Sequence, residues 1–261
     1  VEGTVTAAAG RIGAGLLIVN ADDLGGNPVA TDRIVAGFRA RVLTSATAMM
    51  HMADSERAAG LAREAGIPIG LHLNFTQAYD DPEVPASVAA RQRRVTEFMA
   101  SPRARRMAFS PPMVPVIRHV IADQLEAFGR LFGTEPTHLD GHNHAHLNPT
   151  ALLALPRGIP CRPAYRDPSR RDLTRVPLAL RDRLLSARHP VPDHFFALEG
   201  IHPELGGEGL ERALGLARSS TVEIMAHPDR DDTNAVLYSA PWATALVGLR
   251  LGTYADLSRR R

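Results

Sequence analysis

The sequence has no lysine. All 30 of its basic residues are arginine, set against 28 acidic ones for a formal charge of only +2. That bias reads as genomic composition rather than as a binding surface. No basic run interleaved with aromatics, the footprint of a nucleic-acid surface, accompanies it. The single cysteine, Cys161, excludes an internal disulfide and fits a reducing compartment, so the cytoplasm is the expected location and a core thiol the expected role. No stretch approaches the roughly 18 consecutive apolar residues that a membrane span needs. Residues 1–15, rich in Ala and Gly and without an apolar core of signal-peptide length, are expected to form a flexible tail, and Arg259 to Arg261 a solvated end. What remains, residues 16–261 of a chain with 44% hydrophobic content, is enough for one domain with a large core.

What the chain does have is histidine in an unusual density. Asp140-Gly141-His142-Asn143-His144-Ala145-His146 places three alternating imidazoles behind an aspartate, and Pro136 to Asp140 ahead of them reads as a short strand. Ligands concentrated just after a strand lie where α/β folds put their chemistry, and neutral imidazole suits zinc and other borderline divalent ions. The same arrangement recurs. Leu16 to Ala21 is an apolar run, as in a buried parallel strand, that ends in Asp22-Asp23 and then Gly25-Gly26. Adjacent carboxylates repel unless a cation lies between them or one is protonated, and they can divide labour as ligand and proton acceptor. An N-cap pair for the helix opened by Asn27-Pro28 would account for one of them. Ile67 to Asn74 carries His72 near its end, and Val222 to Asp229 carries His227 and Asp229.

Strand and helix alternate throughout. Strands are expected near 16–20, 44–50, 69–73, 137–140, 159–162, 194–198 and 222–226, and helices near 28–40, 54–65, 114–132, 149–155, 175–187, 208–218 and 241–250. Seven βα units predict an irregular parallel (β/α)7 TIM-like barrel of α/β class, which would bring the strand ends to one face. Two stretches break the rhythm. Residues 75–113 are too long for an ordinary loop and are expected to form a lid or an oligomer contact; residues 163–193, rich in Arg and Pro, are expected to wall a cleft.

Taken together these segments resemble the YdjC-like carbohydrate deacetylases, which include the chitooligosaccharide deacetylases. The resemblance rests on Asn20-Ala21-Asp22-Asp23-Leu24-Gly25, Arg41 to Thr47, Gly70-Leu71-His72-Leu73 and Pro136 to His142, in the family's order. It implies a hydrolase that removes acetyl groups from N-acetylated sugars with a divalent metal, zinc or magnesium, held by Asp23, His72 and His142, with Asp22 as the base. Three departures stand out: Leu24 replaces the usual Phe, Gly141 and Asn143 replace a Ser and a His, and a Glu common before Gln124 is missing. The second leaves metal binding unquestioned, because His142, His144 and His146 survive; the last puts substrate contacts in question.

The chemistry assigns further roles. An acetamide needs its carbonyl polarised and its departing amine protonated; a divalent ion serves the first need, and His227 is the candidate acid for the second, with a structural role before Pro228 as the alternative. Arg162, after the short strand Gly158 to Cys161, is placed to orient Asp22 by charge pairing. On an extended segment His142, His144 and His146 would share a face, so His144 or His146 is expected to bind substrate or support the ligands from behind, a His142 and His146 ligand pair being the alternative. Asp140 is the expected orienting partner of a ligand imidazole. No nucleic-acid or membrane partner is expected, and a homodimer is left open. Two other readings are a metal-dependent phosphoesterase or amidohydrolase on a similar barrel, which would place His-x-His on the first strand, and a non-catalytic sugar-binding relative.

Overall fold

The computed structural model describes residues 15–102, 109–164 and 176–258. The expected N-terminal tail, the arginine end and parts of the two irregular stretches lie outside the described residues. Six strands form one sheet: β1 (Leu16–Leu24), β2 (Ser45–Ala48), β3 (Ile69–Leu73), β4 (Leu139–Gly141), β5 (His194–Ala197) and β6 (Thr221–Ala226), in the order β4-β3-β2-β1-β6-β5. Every pairing is parallel, and the sheet curls into an open half-barrel. The seventh expected strand is reduced to a single parallel bridge, Cys161 to Leu139. Pro160 and Pro163 flank it; proline offers no N–H to a ladder, so pairing cannot propagate.

Alternation along the strands sorts the side chains into two buried faces. Leu17, Val19, Ala46, Leu71, Leu139, Val222 and Ile224 belong to the main apolar core. It also takes in residues of the surrounding helices α1 (Pro28–Arg39), α2 (Ser55–Ala65), α3 (Ala86–Ala100) and α4 (Met113–Phe132). The alternate positions, Asn20, Asp22, Ser45, Thr47, His72, His138, Asp140 and Glu223, are polar yet buried, so the inner face of the half-barrel is a packed polar layer. Buried polar groups persist only when they satisfy one another.

Helix ends follow their local chemistry. The Asn27 side chain accepts from the Ala30 N–H at 2.9 Å and caps α1, so neither aspartate of the Asp22-Asp23 pair is used as a cap. α2 and α4 stop at Gly66 and Gly133, both in the left-handed region (φ 66° and 72°). The largest departure from the expected elements is α3, inside the stretch read as a lid or oligomer contact. It buries Val95, Phe98 and Met99, and Arg91 forms a two-pronged ion pair with Asp123 of α4 at 2.9 and 2.8 Å. Its start was hidden because the proline-punctuated acidic piece before it reads as loop up to Pro85. Among the described residues no helix is long and apolar enough to cross a membrane.

Candidate metal centre and active site

Register brings the polar strand ends together. His72 pairs directly with Asp140, and Ala21 with Ala226, so the next residues along β1 and β6 are Asp22 and His227. A regular strand would point Asp22 and Asp23 to opposite faces. Between Ala21 and Leu24, however, β1 takes three steps while β2 takes two, and Asp23 has φ 71°. This bulge, with aspartate in the left-handed region that it tolerates better than most residues, lets both carboxylates serve the inner face.

Asp23 Oδ1 is 3.1 Å from His72 Nε2 and 2.9 Å from His142 Nδ1. One atom from each of these residues lies within 4.8 Å of the others, a donor set that can hold a metal ion. Asp22, His72 and Asp140 form a second, more buried set of the same kind. The first fits a cation better, for a reason of hydrogen positions. His72 Nδ1 lies 2.7 Å from Asp140 Oδ1, so the neutral ring carries its proton there and aims the Nε2 lone pair at a carboxylate. Two facing lone pairs repel unless a proton or a divalent ion lies between them. Without an ion the imidazole takes up the proton: burial alone would lower the His72 pKa, but Asp140 and Asp22 outweigh it and raise it well above the ordinary value. Burial would likewise raise Asp23, yet hydrogen bonds from His142 and His72 hold it well below the usual carboxylate range. A carboxylate behind a ligating imidazole is the arrangement that fixes ring orientation in metal sites.

Asp22 is held from the other side. Arg162, fully buried, donates from Nη1 and Nη2 to the two oxygens of Asp22, each at 2.6 Å. Asn20 Nδ2 adds a bond to Asp22 Oδ1 at 3.0 Å. Thr47 Oγ1 donates to Asp140 Oδ2 at 3.0 Å and lies 3.2 Å from His72 Nδ1, joining the two carboxylate clusters.

His227 stands at the rim, with Nε2 4.0 Å from Asp23 Oδ2 and Nδ1 3.2 Å from Glu199 Oε1. Burial would lower its pKa, but the Glu199 hydrogen bond and the charges of Asp22, Glu199 and Asp23 prevail and raise it to about 9. Glu199 was not foreseen. It lies in the short helix Leu198–Ile201 directly after β5, so it too follows the end of a strand, as the other site residues do.

The histidine run behaves differently from the alternating face expected of it. Residues His142–Leu147 form a 3-10 turn in which Asn143 and His144 both have φ 54°, so the period of two is lost. His142 reaches Asp23. His144 is exposed and sets its ring edge-on to Phe195, with centroids 5.6 Å apart. His146 is buried, its Nε2 3.0 Å from the Arg162 carbonyl, and desolvation pushes it down to about 3, so it is neutral. The structure therefore brings His142 rather than His146 to the cluster, and His146 supports the turn that presents Arg162. The first strand bears Asp-Asp and not the His-x-His of the phosphoesterase alternative.

Removing any one of Asp23, His72 or His142 by substitution with Ala should sharply reduce bound divalent ion, since two donors remain of the three and the carboxylates of the second set, Asp22 and Asp140, are engaged by Arg162. Metal analysis of the purified variants checks this. Full occupancy in His72→Ala would remove that residue from the ligand set.

The chain is similar to known proteins over most of its length. The family model described as YdjC-like protein matches residues 16–251. A chitooligosaccharide deacetylase of Salmonella heidelberg (strain SL476) is 30% identical over 257 residues, 93% of this chain and 92% of its own length. Carbohydrate deacetylases of Homo sapiens and Mus musculus are 38% and 36% identical over 136 residues, 51% of this chain. The matched stretch spans only 42% and 43% of those two mammalian relatives. Among solved structures, an Enterococcus faecalis V583 protein, described provisionally as a cellobiose-phosphate cleavage protein, superposes with a TM-score of 0.68. It is 20% identical and covers 94% of this chain and 99% of its own, a likeness of fold.

Proposed function

The chain belongs to the YdjC-like family, and from that premise we propose that it is a metal-dependent carbohydrate N-deacetylase, which hydrolyses the acetamide of an N-acetylated amino sugar. The observation that carries this reading is the pairing of Asp23, His72 and His142 with a second aspartate, Asp22, clamped by a buried arginine beside them. Asp23, His72 and His142 would hold the ion, which when bound supplies Lewis-acid polarisation of the acetyl carbonyl and acidifies water. Two imidazoles in the donor set favour zinc, with magnesium the alternative.

The chain's own groups supply the proton traffic. Asp22 accepts the proton of the attacking water. Its Oδ1 already takes bonds from Arg162 and Asn20, whereas Oδ2 takes the Arg162 bond alone among the described contacts. A carboxylate oxygen has about two acceptor directions, so Oδ2 keeps one for the proton. The bidentate guanidinium fixes the carboxylate plane, which directs that free position. His227, its Nδ1 held by Glu199 and its pKa raised by that partner, presents Nε2–H to the departing amine, and an amine leaves only when protonated. Exposed His144, edge-on to Phe195, is the candidate for contact with the sugar. The test is acetate release from a panel of N-acetylated mono- and oligosaccharides after loading with zinc or magnesium. Release from none of them under either metal would sink the proposal.

A further inference from the structure

Behind Asp22 the arginine that clamps it is itself clamped. Arg162 Nε donates to Glu223 Oε1 at 2.9 Å, and Nη2 lies 2.8 Å from the same oxygen and 2.9 Å from Asp140 Oδ2. One edge of the guanidinium thus meets Asp22 and the other meets Glu223. The Tyr254 hydroxyl donates to the remaining oxygen of Glu223. Arg162, Glu223 and Tyr254 are all fully buried.

Charge balance does not require Glu223. Asp22 and Asp140 already contribute two negative charges to one guanidinium, and a third in a fully buried place is penalised: desolvation pushes the Glu223 carboxyl up to about 7 against the pull of Arg162. A group that destabilises electrostatically and is not needed for neutrality has a geometric use here, because a planar fork held along both edges cannot turn. Tyr254 is positioned with equal care. Leu251 bridges to Leu17 in parallel register, Leu17 N–H donates to the Arg250 carbonyl at 2.8 Å, and Gly252 N–H donates back to Leu17 at 3.0 Å. Leu16 and Ile18 of the same strand pack against Tyr254 and Leu257. The tyrosine ring stacks on His138, with centroids 3.8 Å apart and planes 5° apart. That ring in turn needs Gly70, where a Cβ would lie 2.5 Å from it. So the strand that carries Asp22 at one end fixes, at the other, the tyrosine that holds Glu223 against Asp22's partner.

We propose, resting on the deacetylase reading, that Glu223 and Tyr254 are positioning residues for the base: through Arg162 they set the orientation in which Asp22 meets the attacking water. The chain of contacts Tyr254, Glu223, Arg162, Asp22 joins the segment after β6 to the reacting centre, and its link to His72 runs through Arg162 and Asp140, which variants at Glu223 and Tyr254 leave in place.

The variants Glu223→Gln and Tyr254→Phe, alone and combined, test this. Gln keeps an acceptor for Arg162, and Phe keeps the stack on His138. Both single variants should match the parent in metal content and KM and lose roughly 10–100-fold in kcat, the range seen when outer supports of an active group are removed. Because both act on the same link, the double variant should fall little below Glu223→Gln. A merely structural role predicts instead a loss that follows melting temperature or metal content, or two losses that multiply; either pattern, or an unchanged kcat, overturns the proposal. If the parent enzyme releases no acetate from any sugar, the deacetylase reading fails separately. Hydrogen exchange at the Arg162 Nε–H, followed by heteronuclear NMR and assigned with Arg162→Lys, then decides the clamp: slow exchange in the parent and fast exchange in both single variants supports it, and equal rates overturn it.

Discussion

Asp22→Asn is expected to keep its metal and lose on the order of 10²–10⁴ in turnover, the loss typical of removing a general base. The amide is nearly isosteric and keeps one acceptor oxygen for Arg162, but its nitrogen carries hydrogens that face a guanidinium donor and it cannot take a proton from water. Arg162 retains Asp140 and Glu223 as partners, so its charge is not left unpaired. Asp23→Asn should show the opposite pattern. Asp23 Oδ1 is the atom on which His72 and His142 converge, and weakening it there should lower metal content before it alters proton transfer. Parallel measurement of bound metal and of kcat at saturating metal separates the two. Should Asp22→Asn lose the ion while Asp23→Asn holds it and loses turnover, the roles of base and ligand are exchanged.

Much of the candidate site was legible because parallel strands of an α/β fold all end on one side, so an apolar run closing in a carboxylate or imidazole is a local signal for a shared place. Asp22, Asp23, His72, His142 and His227 were found that way, and the structure gathers all five. Glu199 has the same signature after Phe195 to Leu198 and was missed, since a single glutamate opening a short helix reads as ordinary first-turn charge. Glu223 and Tyr254 were missed for a deeper reason. Glu223 lies inside the buried strand Thr221–Ala226 and not at its end, and Tyr254 lies 31 residues further on, brought beside it by the pairing of Leu251 with Leu17. Neither spacing nor periodicity reports a partner at that distance. The bulge at Asp22 and Asp23 and the left-handed turn at Asn143 and His144 were also illegible, being backbone choices that the tertiary contacts of the site impose on residues able to adopt other conformations.

His227→Ala is expected to remove the alkaline limb of the pH profile and to harm an amide far more than an ester. The sign follows from the protonation state. An acid works while it holds its proton, so turnover falls as pH rises through its pKa, and in the metal-free protein His227 is raised to about 9 by partners that overcome its burial. The foremost of these is Glu199, whose Oε1 is 3.2 Å from Nδ1; Asp23 contributes through Oδ2 at 4.0 Å from Nε2. A divalent ion held by Asp23 offsets that last contribution, so the limb of the loaded enzyme should fall between the ordinary value of 6.5 and about 9. Glu199→Gln removes the leading cause of the rise and should move the limb to lower pH while leaving the acidic limb in place. With His227→Ala the limb should vanish, and the rate on an N-acetyl sugar should drop on the order of 10²–10⁴. An acetate ester of the same sugar should suffer much less, because its departing oxygen needs less protonation than an amine. The two substrates must be compared at the same metal loading, since Nε2 borders the candidate ligand Asp23. Equal losses on amide and ester would assign His227 to substrate binding or structure and place the acid elsewhere.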